Sequence, residues 1–254
     1  MKLQRIQQIE EYLKTRGSAS LDELCRHFDV SKNTIRRDLH VLEGQGVVKK
    51  VYGGVIWNAE SSIIPSIAQR EITMQEAKSG IAGRAAELVT DNDIIILDSG
   101  TTVVQMIEHL TDRQNLTIIT NSVPAVNVAL AYPQFHVIIT GGDLYHPTAS
   151  FVGFEAMSWL KRLNAGTVFL AATGISLTKG ITNYSTIEAE MKKVMMEISE
   201  RVVLLADHSK FDVVSLMKFA DLSDVDMLVT DRSPEREYLT YCAEQHIDVV
   251  VTEH

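Results

Sequence analysis

Leu3, Ile6, Ile9 and Leu13 recur at the spacing of one helix face, and Gly17 predicts where that helix stops, since glycine enters the left-handed region at little cost. A second helix is expected at once: Ser20-Leu-Asp-Glu23 has the form of a capping box, and Leu21, Leu24, Cys25 and Phe28 make one apolar stripe. Asp29-Val30 forms a brief turn. Ser31 is then a candidate N-cap for a third helix with Ile35, Leu39 and Leu42 as its core face, closed by Gly44 or Gly46. The segment VVKKVYGGVIW predicts a β-hairpin, because β-branched residues flank Gly53-Gly54.

The polar positions of the third helix change the picture from a small helical domain to a candidate nucleic-acid reader. At about 100° per residue from Ile35, Asn33, Arg36, Arg37 and His40 fall on the side away from the core, with Lys32 at the helix start and Asp38 on a flank. Such a face fits the major groove, where Arg forks onto guanine and Asn onto adenine. Two helices, a turn, a basic third helix and a basic hairpin carrying Lys49 and Lys50 make a winged helix-turn-helix over residues 1–57. The lysines would contact phosphate, and the third helix would read bases.

Periodicity fades from Asn58 and Pro65 intervenes, so residues 58–75 are expected to be a connector. From residue 76 to 254, helix-like runs alternate with short continuous apolar runs such as IIIL, LTII and VVLL. Strands of that kind need cover on both faces, which predicts an α/β domain built on a largely parallel sheet. Ligands of such sheets bind at the carboxyl ends of strands. Those ends carry Asp98-Ser99-Gly100-Thr101-Thr102, then Asn121-Ser122, Gly141-Gly142, Gly174, and Asp207, Ser209 and Lys210. The first loop opens a helix. Its amides and the Ser99, Thr101 and Thr102 hydroxyls suit a phosphate, with Gly100 giving close approach and Lys210 supplying charge, while Asp98 shapes the loop or accepts from a sugar hydroxyl.

Composition narrows the alternatives. The net charge of −9 is segregated: residues 1–57 hold ten Lys and Arg against seven Asp and Glu, leaving fourteen against twenty-six in the remainder. The basic excess lies where phosphate contacts are expected. No stretch approaches the roughly 18 apolar residues of a membrane helix, and MKLQRIQQIEEYLK lacks the apolar segment of a secretion signal, so a cytoplasmic protein is expected. Cys25 and Cys242 are read as buried thiols. The eight histidines, His208 among them, show no ligand spacing, so neither a metal site nor a cofactor is expected.

The run SLDELCRHFDVSKNTIRRDLHVLEGQGVVKKVYGGV resembles the N-terminal signature of the DeoR family of transcriptional regulators, in which a Ser, two variable residues, Thr, an aliphatic, Arg-Arg-Asp-Leu and a later Tyr-Gly-Gly recur. Together with the opening MKLQRIQQIEEY it is similar to the subgroup that represses inositol catabolism. The resemblance implies that Ser31, Thr34 and Tyr52 join the DNA-facing set. The series DSGTT, TNS, GG and ADHSKF resembles the family's sensor domain, whose fold is similar to ribose-5-phosphate isomerase and CoA-transferase-like proteins. This implies a homo-oligomeric repressor of a carbohydrate operon, bound to double-stranded operator DNA and released by a phosphorylated sugar or sugar acid. It implies no catalysis: where the isomerases carry Asp-Gly-Ala-Asp, this chain has Ala172-Thr-Gly-Ile-Ser176. Proton shuttling needs a carboxylate base and a partner acid, and both acidic residues of that motif are absent, which leaves Glu188 or Glu190 as the alternative base.

Overall fold

The computed structural model describes residues 2–44, 48–51, 53–57 and 67–252, and the chain divides into two units, Met1–Ser66 and Ile67–His254. In the first, α1 (Lys2–Arg16), α2 (Leu21–Phe28) and α3 (Lys32–Gly44) bury Ile6, Ile9, Leu13, Leu24, Ile35, Leu39 and Leu42 in one cluster. Gly17 ends α1 at φ +78°. The Ser20 hydroxyl caps α2 by accepting from the Glu23 amide at 3.1 Å. Only half of the expected box forms: the Glu23 carboxylate accepts instead from Tyr12 and Arg16, at 2.9 Å each.

The hairpin β2 (Val48–Val51) and β3 (Gly54–Trp57) is joined by a strand the pattern does not announce, β1 (Ser18–Ser20), in the antiparallel order β1-β3-β2. Three residues are too few to display an alternation. The two glycines serve different ends. Gly53 turns at φ +81°, whereas a Cβ on Gly54 would come within 2.5 Å of the Ala19 carbonyl, so Gly54 admits β1. Tyr52 and Gly46 lie outside the described residues.

On its flank of α3, Asp38 is 1% exposed, and it ties α3 to α1 by accepting from Arg5 Nε at 2.7 Å. Arg5 is correspondingly held in its charged form, above the ordinary guanidinium range. Asp38→Ala leaves Arg5 without that acceptor and is expected to cost about 1–3 kcal/mol. Urea unfolding followed by Trp57 fluorescence in a Trp159→Phe background measures this loss; an unchanged midpoint would contradict the assigned role.

The second unit opens with α4 (Ile67–Ile72) and α5 (Gln75–Ala86). The connector expected over residues 58–75 is thus corrected from residue 67 on, while residues 58–66 lie outside the described set. A six-residue helix is too short to show a 3.6-residue period, and α4 is held by polar bonds: Arg70 Nη2 donates to the Pro147 carbonyl at 3.3 Å, and Lys78 Nζ donates to the Arg70 carbonyl.

The parallel sheet has seven strands: β4 (Ile94–Leu97), β5 (Thr117–Thr120), β6 (His136–Ile139), β9 (Ala165–Ala171), β12 (Ser199–Leu205), β14 (Met227–Thr230) and β15 (Asp248–Val251). Their order is β15-β14-β12-β9-β4-β5-β6. Alternate residues enter two cores. Ile95, Leu97, Phe169, Val203 and Leu205 pack with α5 and α7 (Val123–Ala129), whereas Ile96, Val168, Leu170 and Leu204 pack with α8 (Phe154–Leu160), α9 (Thr186–Glu197) and α10 (Arg236–Glu244). A hairpin, β7 (Asp143–Tyr145) with β8 (Ser150–Val152), and a small antiparallel sheet, β10 (Gly174–Ser176), β11 (Gly180–Asn183) and β13 (Met217–Ala220), complete the unit. From β4 the chain progresses one way to β5 and β6, and β9 then adds on β4's other edge. The crevice between the carboxyl ends of β4 and β9 is therefore the topological switch point, where open α/β sheets bind ligands.

Candidate functional site

In the first unit, Lys32, Asn33, Arg36, Arg37 and His40 are all exposed on α3, as the helical projection requires, and Lys49 and Lys50 are exposed on β2. Ser31 caps the helix, its hydroxyl accepting from the Thr34 amide at 3.3 Å and lying 3.0 Å from the Thr34 hydroxyl. Two of the lysines are engaged by carboxylates. Lys32 pairs with Asp22 at 2.6 Å, and Lys50 pairs with Glu43, which also lies 3.8 Å from His40. These cations hold the Asp22 and Glu43 carboxyls below their usual range. Arg36 and Arg37 meet no carboxylate among the described residues. Their guanidinium groups are thus the exposed donors of the face, in the geometry that forks onto a base edge.

At the switch point of the second unit, Asp98 leaves β4 almost fully buried. Its Oδ2 accepts from the Ala171 amide at 3.1 Å and from Lys192 Nζ, joining β4, β9 and α9. Gly100 lets the loop approach β9, because a Cβ there would come within 2.2 Å of the Ala171 side chain. Ser99 donates to Glu188 Oε1 at 3.3 Å, and Ser150 donates to the same oxygen at 3.4 Å. Around them lies a small polar slot, about 40 Å³, whose lining includes Arg70, Ser99, Gly100, Thr173, Asn183, Tyr184, Glu188 and Lys192.

The other loop residues divide between shaping and facing. Thr101 and Thr102 are buried on the short α6 (Thr101–Val104). Asn121 Nδ2 donates to the Phe151 carbonyl at 3.1 Å, and Ser122 caps α7 through the Ala125 amide at 3.2 Å. Gly142 and Gly174 are packing glycines, since a Cβ would meet the Val152 carbonyl at 2.5 Å or the Val213 carbonyl at 2.2 Å; Gly141 faces open space at φ +64°. Asp207 Oδ1 accepts from the Ser209 amide at 3.0 Å and from its hydroxyl, starting the 3-10 turn that carries Lys210. His208 Nδ1 lies 2.6 Å from Asp231 Oδ2, which fixes the imidazole. Among the described residues no group of three or more His, Cys, Asp or Glu is gathered to hold a metal ion.

The pattern gave no signal at Arg70, Lys78 or Tyr184. Of the charged residues on α9, Glu188 and Lys192 are buried while Glu190 and Lys193 pair with each other at 2.8 Å nearer the surface. Their i, i+4 spacing places Glu188 and Lys192 on one face, a signal that a solvated helix would equally produce. Lys78 is 5% exposed, and burial lowers its pKa to about 8; Asp207 opposes that shift, and Lys210 and Arg70 add to it. Arg70 and Lys210 thus lie near Lys78, with the Asp207 and Glu71 carboxylates offsetting part of their charge.

A family model described as a DeoR-like helix-turn-helix domain matches residues 5–61, and one described as a DeoR C-terminal sensor domain matches residues 73–232. The chain is similar to the HTH-type transcriptional regulator IolR of Bacillus subtilis, 41% identical over 98% of this chain and 99% of that protein. It is also similar to a putative aga operon transcriptional repressor of Escherichia coli O157:H7, 29% identical over 98% and 93% of the two chains. Among solved structures, ribose 5-phosphate isomerase A from Methanocaldococcus jannaschii is similar over 55% of each chain, at 19% identity and a TM-score of 0.41.

Proposed function

The chain belongs to the DeoR family of transcriptional regulators, and from that premise we propose that it represses a carbohydrate-catabolism operon until a phosphorylated sugar or sugar acid releases it from the operator. It is a DNA-binding regulator and not an enzyme. Arg36, Arg37 and Asn33 read bases, with His40 beside them, and Ser31, Lys32, Thr34, Lys49, Lys50 and Tyr52 position the backbone. A homo-oligomer in the cytoplasm presents two such heads to operator half-sites. Among the described residues, no helix is long and apolar enough to cross a membrane.

The observation that carries the effector reading is the crevice at the β4/β9 switch point, lined by Ser99, Gly100 and Arg70, with Lys78 near both Arg70 and Lys210. An anionic ester meets amides and ammonium groups there, and charge-assisted bonds of that kind contribute about 1.5–3 kcal/mol each before desolvation. Release of DNA requires the effector to favour one conformation over the other, with a coupling of about 1–3 kcal/mol or more. The inositol-type resemblance makes a phosphorylated keto acid the first candidate.

Fluorescence anisotropy of the operator complex, titrated with matched phosphorylated and unphosphorylated sugars, tests this reading. Only the phosphorylated member should release DNA; equal release by both, or release by neither, refutes it. The same titration has a pH signature. Below pH 8 Lys78 is charged with or without ligand, so it adds no pH dependence. Above pH 8 the bound anion must recharge it, so affinity falls as pH rises, by at most about tenfold per unit. Lys78→Met should bind more weakly and lose that slope; a wild-type profile flat from pH 7.5 to 9.5 would remove Lys78 from the site.

A further inference from the structure

The slot at the switch point holds two polar atoms that the protein leaves without a hydrogen bond, Glu188 Oε2 and the Tyr184 hydroxyl. Both residues are more than nine-tenths buried, at 3% and 8% exposed, and both line the same small volume. Buried polar groups are nearly always satisfied, and a buried carboxylate oxygen left without a donor is among the costliest exceptions. Glu188 Oε1 is accounted for by Ser99 and Ser150, so Oε2 is the oxygen left over. Burial and the charge of Glu188, whose carboxylate lies near the Tyr184 hydroxyl without meeting hydrogen-bond geometry, push that hydroxyl well above the ordinary phenol range, so it remains a donor.

Charge and size then select the partner. Asp98 is matched by Lys192, whereas Glu188 has no ion pair among the described residues, so its bare oxygen opposes an anionic oxygen placed directly against it, although Arg70 lines the same slot. Its roughly 40 Å³ admits a hydroxyl with its carbon. A neutral hydroxyl donates once and accepts twice, which matches one bare carboxylate oxygen and one phenol donor.

Resting on the phosphorylated-effector reading above, we propose that the slot is the hydroxyl subsite of the effector, with Glu188 Oε2 accepting from that hydroxyl and Tyr184 donating to it. The ligand class is thereby a polyhydroxylated phosphate ester whose free hydroxyl enters the slot at Glu188 and Tyr184 while its phosphate lies toward Lys78 and Lys210, with Arg70 on the wall between. Glu188 and Tyr184 are specificity residues in this account, and inorganic phosphate alone makes only the outer contacts.

Isothermal titration of the full chain, Glu188→Gln and Tyr184→Phe with ribose 5-phosphate, fructose 6-phosphate, glucose 6-phosphate and inorganic phosphate tests the assignment. The tightest sugar phosphate should lose about 10- to 100-fold in affinity for Glu188→Gln and less for Tyr184→Phe, with inorganic phosphate unchanged in both. A glutamine retains an acceptor for Ser99 and Ser150 and removes an unmatched charge, so the melting temperature of Glu188→Gln should rise by about 2–4 °C. Wild-type affinity of both variants for sugar phosphates means that the slot holds solvent only, which overturns the subsite and leaves the phosphorylated-effector reading standing. A lowered melting temperature with an unchanged preference for sugar phosphate over inorganic phosphate assigns Glu188 a structural role and overturns it equally. If neither the three sugar phosphates nor a phosphorylated keto sugar acid titrated beside them binds the wild-type chain, the subsite and the reading beneath it both fall.

Discussion

Replacing Lys192 with methionine should destabilise the C-terminal unit by about 3–5 kcal/mol, the cost of leaving a buried carboxylate without its counter-charge. Asp98 and Lys192 have side chains only 2% and 4% exposed, and the ammonium also lies 5.7 Å from the centre of the Phe219 ring. Methionine retains the stem's packing, so the loss reports charge rather than volume. Asp98→Asn in the same background should recover most of the stability, because the asparagine oxygen can still accept from the Ala171 amide at 3.1 Å while carrying no charge. Chemical denaturation of the wild type, both single variants and the double variant completes the cycle. Additive losses across the cycle would show that the two groups do not stabilise one another.

Arg37→Ala is expected to weaken operator binding about 10- to 100-fold while leaving binding to random DNA nearly unchanged, since a forked contact with a base is worth about 1–3 kcal/mol of discrimination. Arg37 is exposed on α3 and meets no carboxylate among the described residues, so no ion pair among those residues has to break before it reaches a base. Lys50 is different. Glu43 already engages it, and DNA must displace that pair to reach it. Lys50→Ala should therefore weaken all sequences alike and lower the salt slope by about one. Operator and random duplexes titrated side by side over a range of salt concentrations separate the two roles; equal losses on both duplexes for Arg37→Ala would move it from base reading to backbone contact.

How much of this was legible in the residues depends on how far apart the interacting groups lie along the chain. The three helices of the first unit, the Ser20 and Ser31 caps, the stop at Gly17 and the hairpin at Gly53-Gly54 all rest on groups within a few residues of one another, and periodicity and turn chemistry expose such relations directly. The parallel sheet was legible for a similar reason. Strands buried on both faces must be continuously apolar, as IIIL and VVLL are, and the loops at their carboxyl ends could be marked before their neighbours were known. Family membership was also written locally, in the run from Ser31 through the Arg36-Arg37-Asp38-Leu39 tetrad to the glycines of the hairpin.

The partners were not legible. Arg5 and Asp38 are 33 positions apart, Ser99 and Glu188 are 89 apart, and Asp98 and Lys192 are 94 apart, so no local spacing announces them. Asp38 could be placed on its helix face but not given its arginine, and α4 was too short and too polar to show a period although it delivers Arg70 to the slot. On sequence alone, Glu188 and Lys192 read equally well as a solvated ion pair along a helix. Only the packing of α9 behind β4 and β9 decides that one closes the switch point and the other turns a bare oxygen into the slot. The sequence by itself determined the elements, their caps and the family, because backbone preference and hydrophobic period are local. The tertiary structure alone decided which buried charges meet and which polar atoms are left unmatched, because desolvation and hydrogen-bond geometry depend on neighbours that the chain brings together only once it has folded.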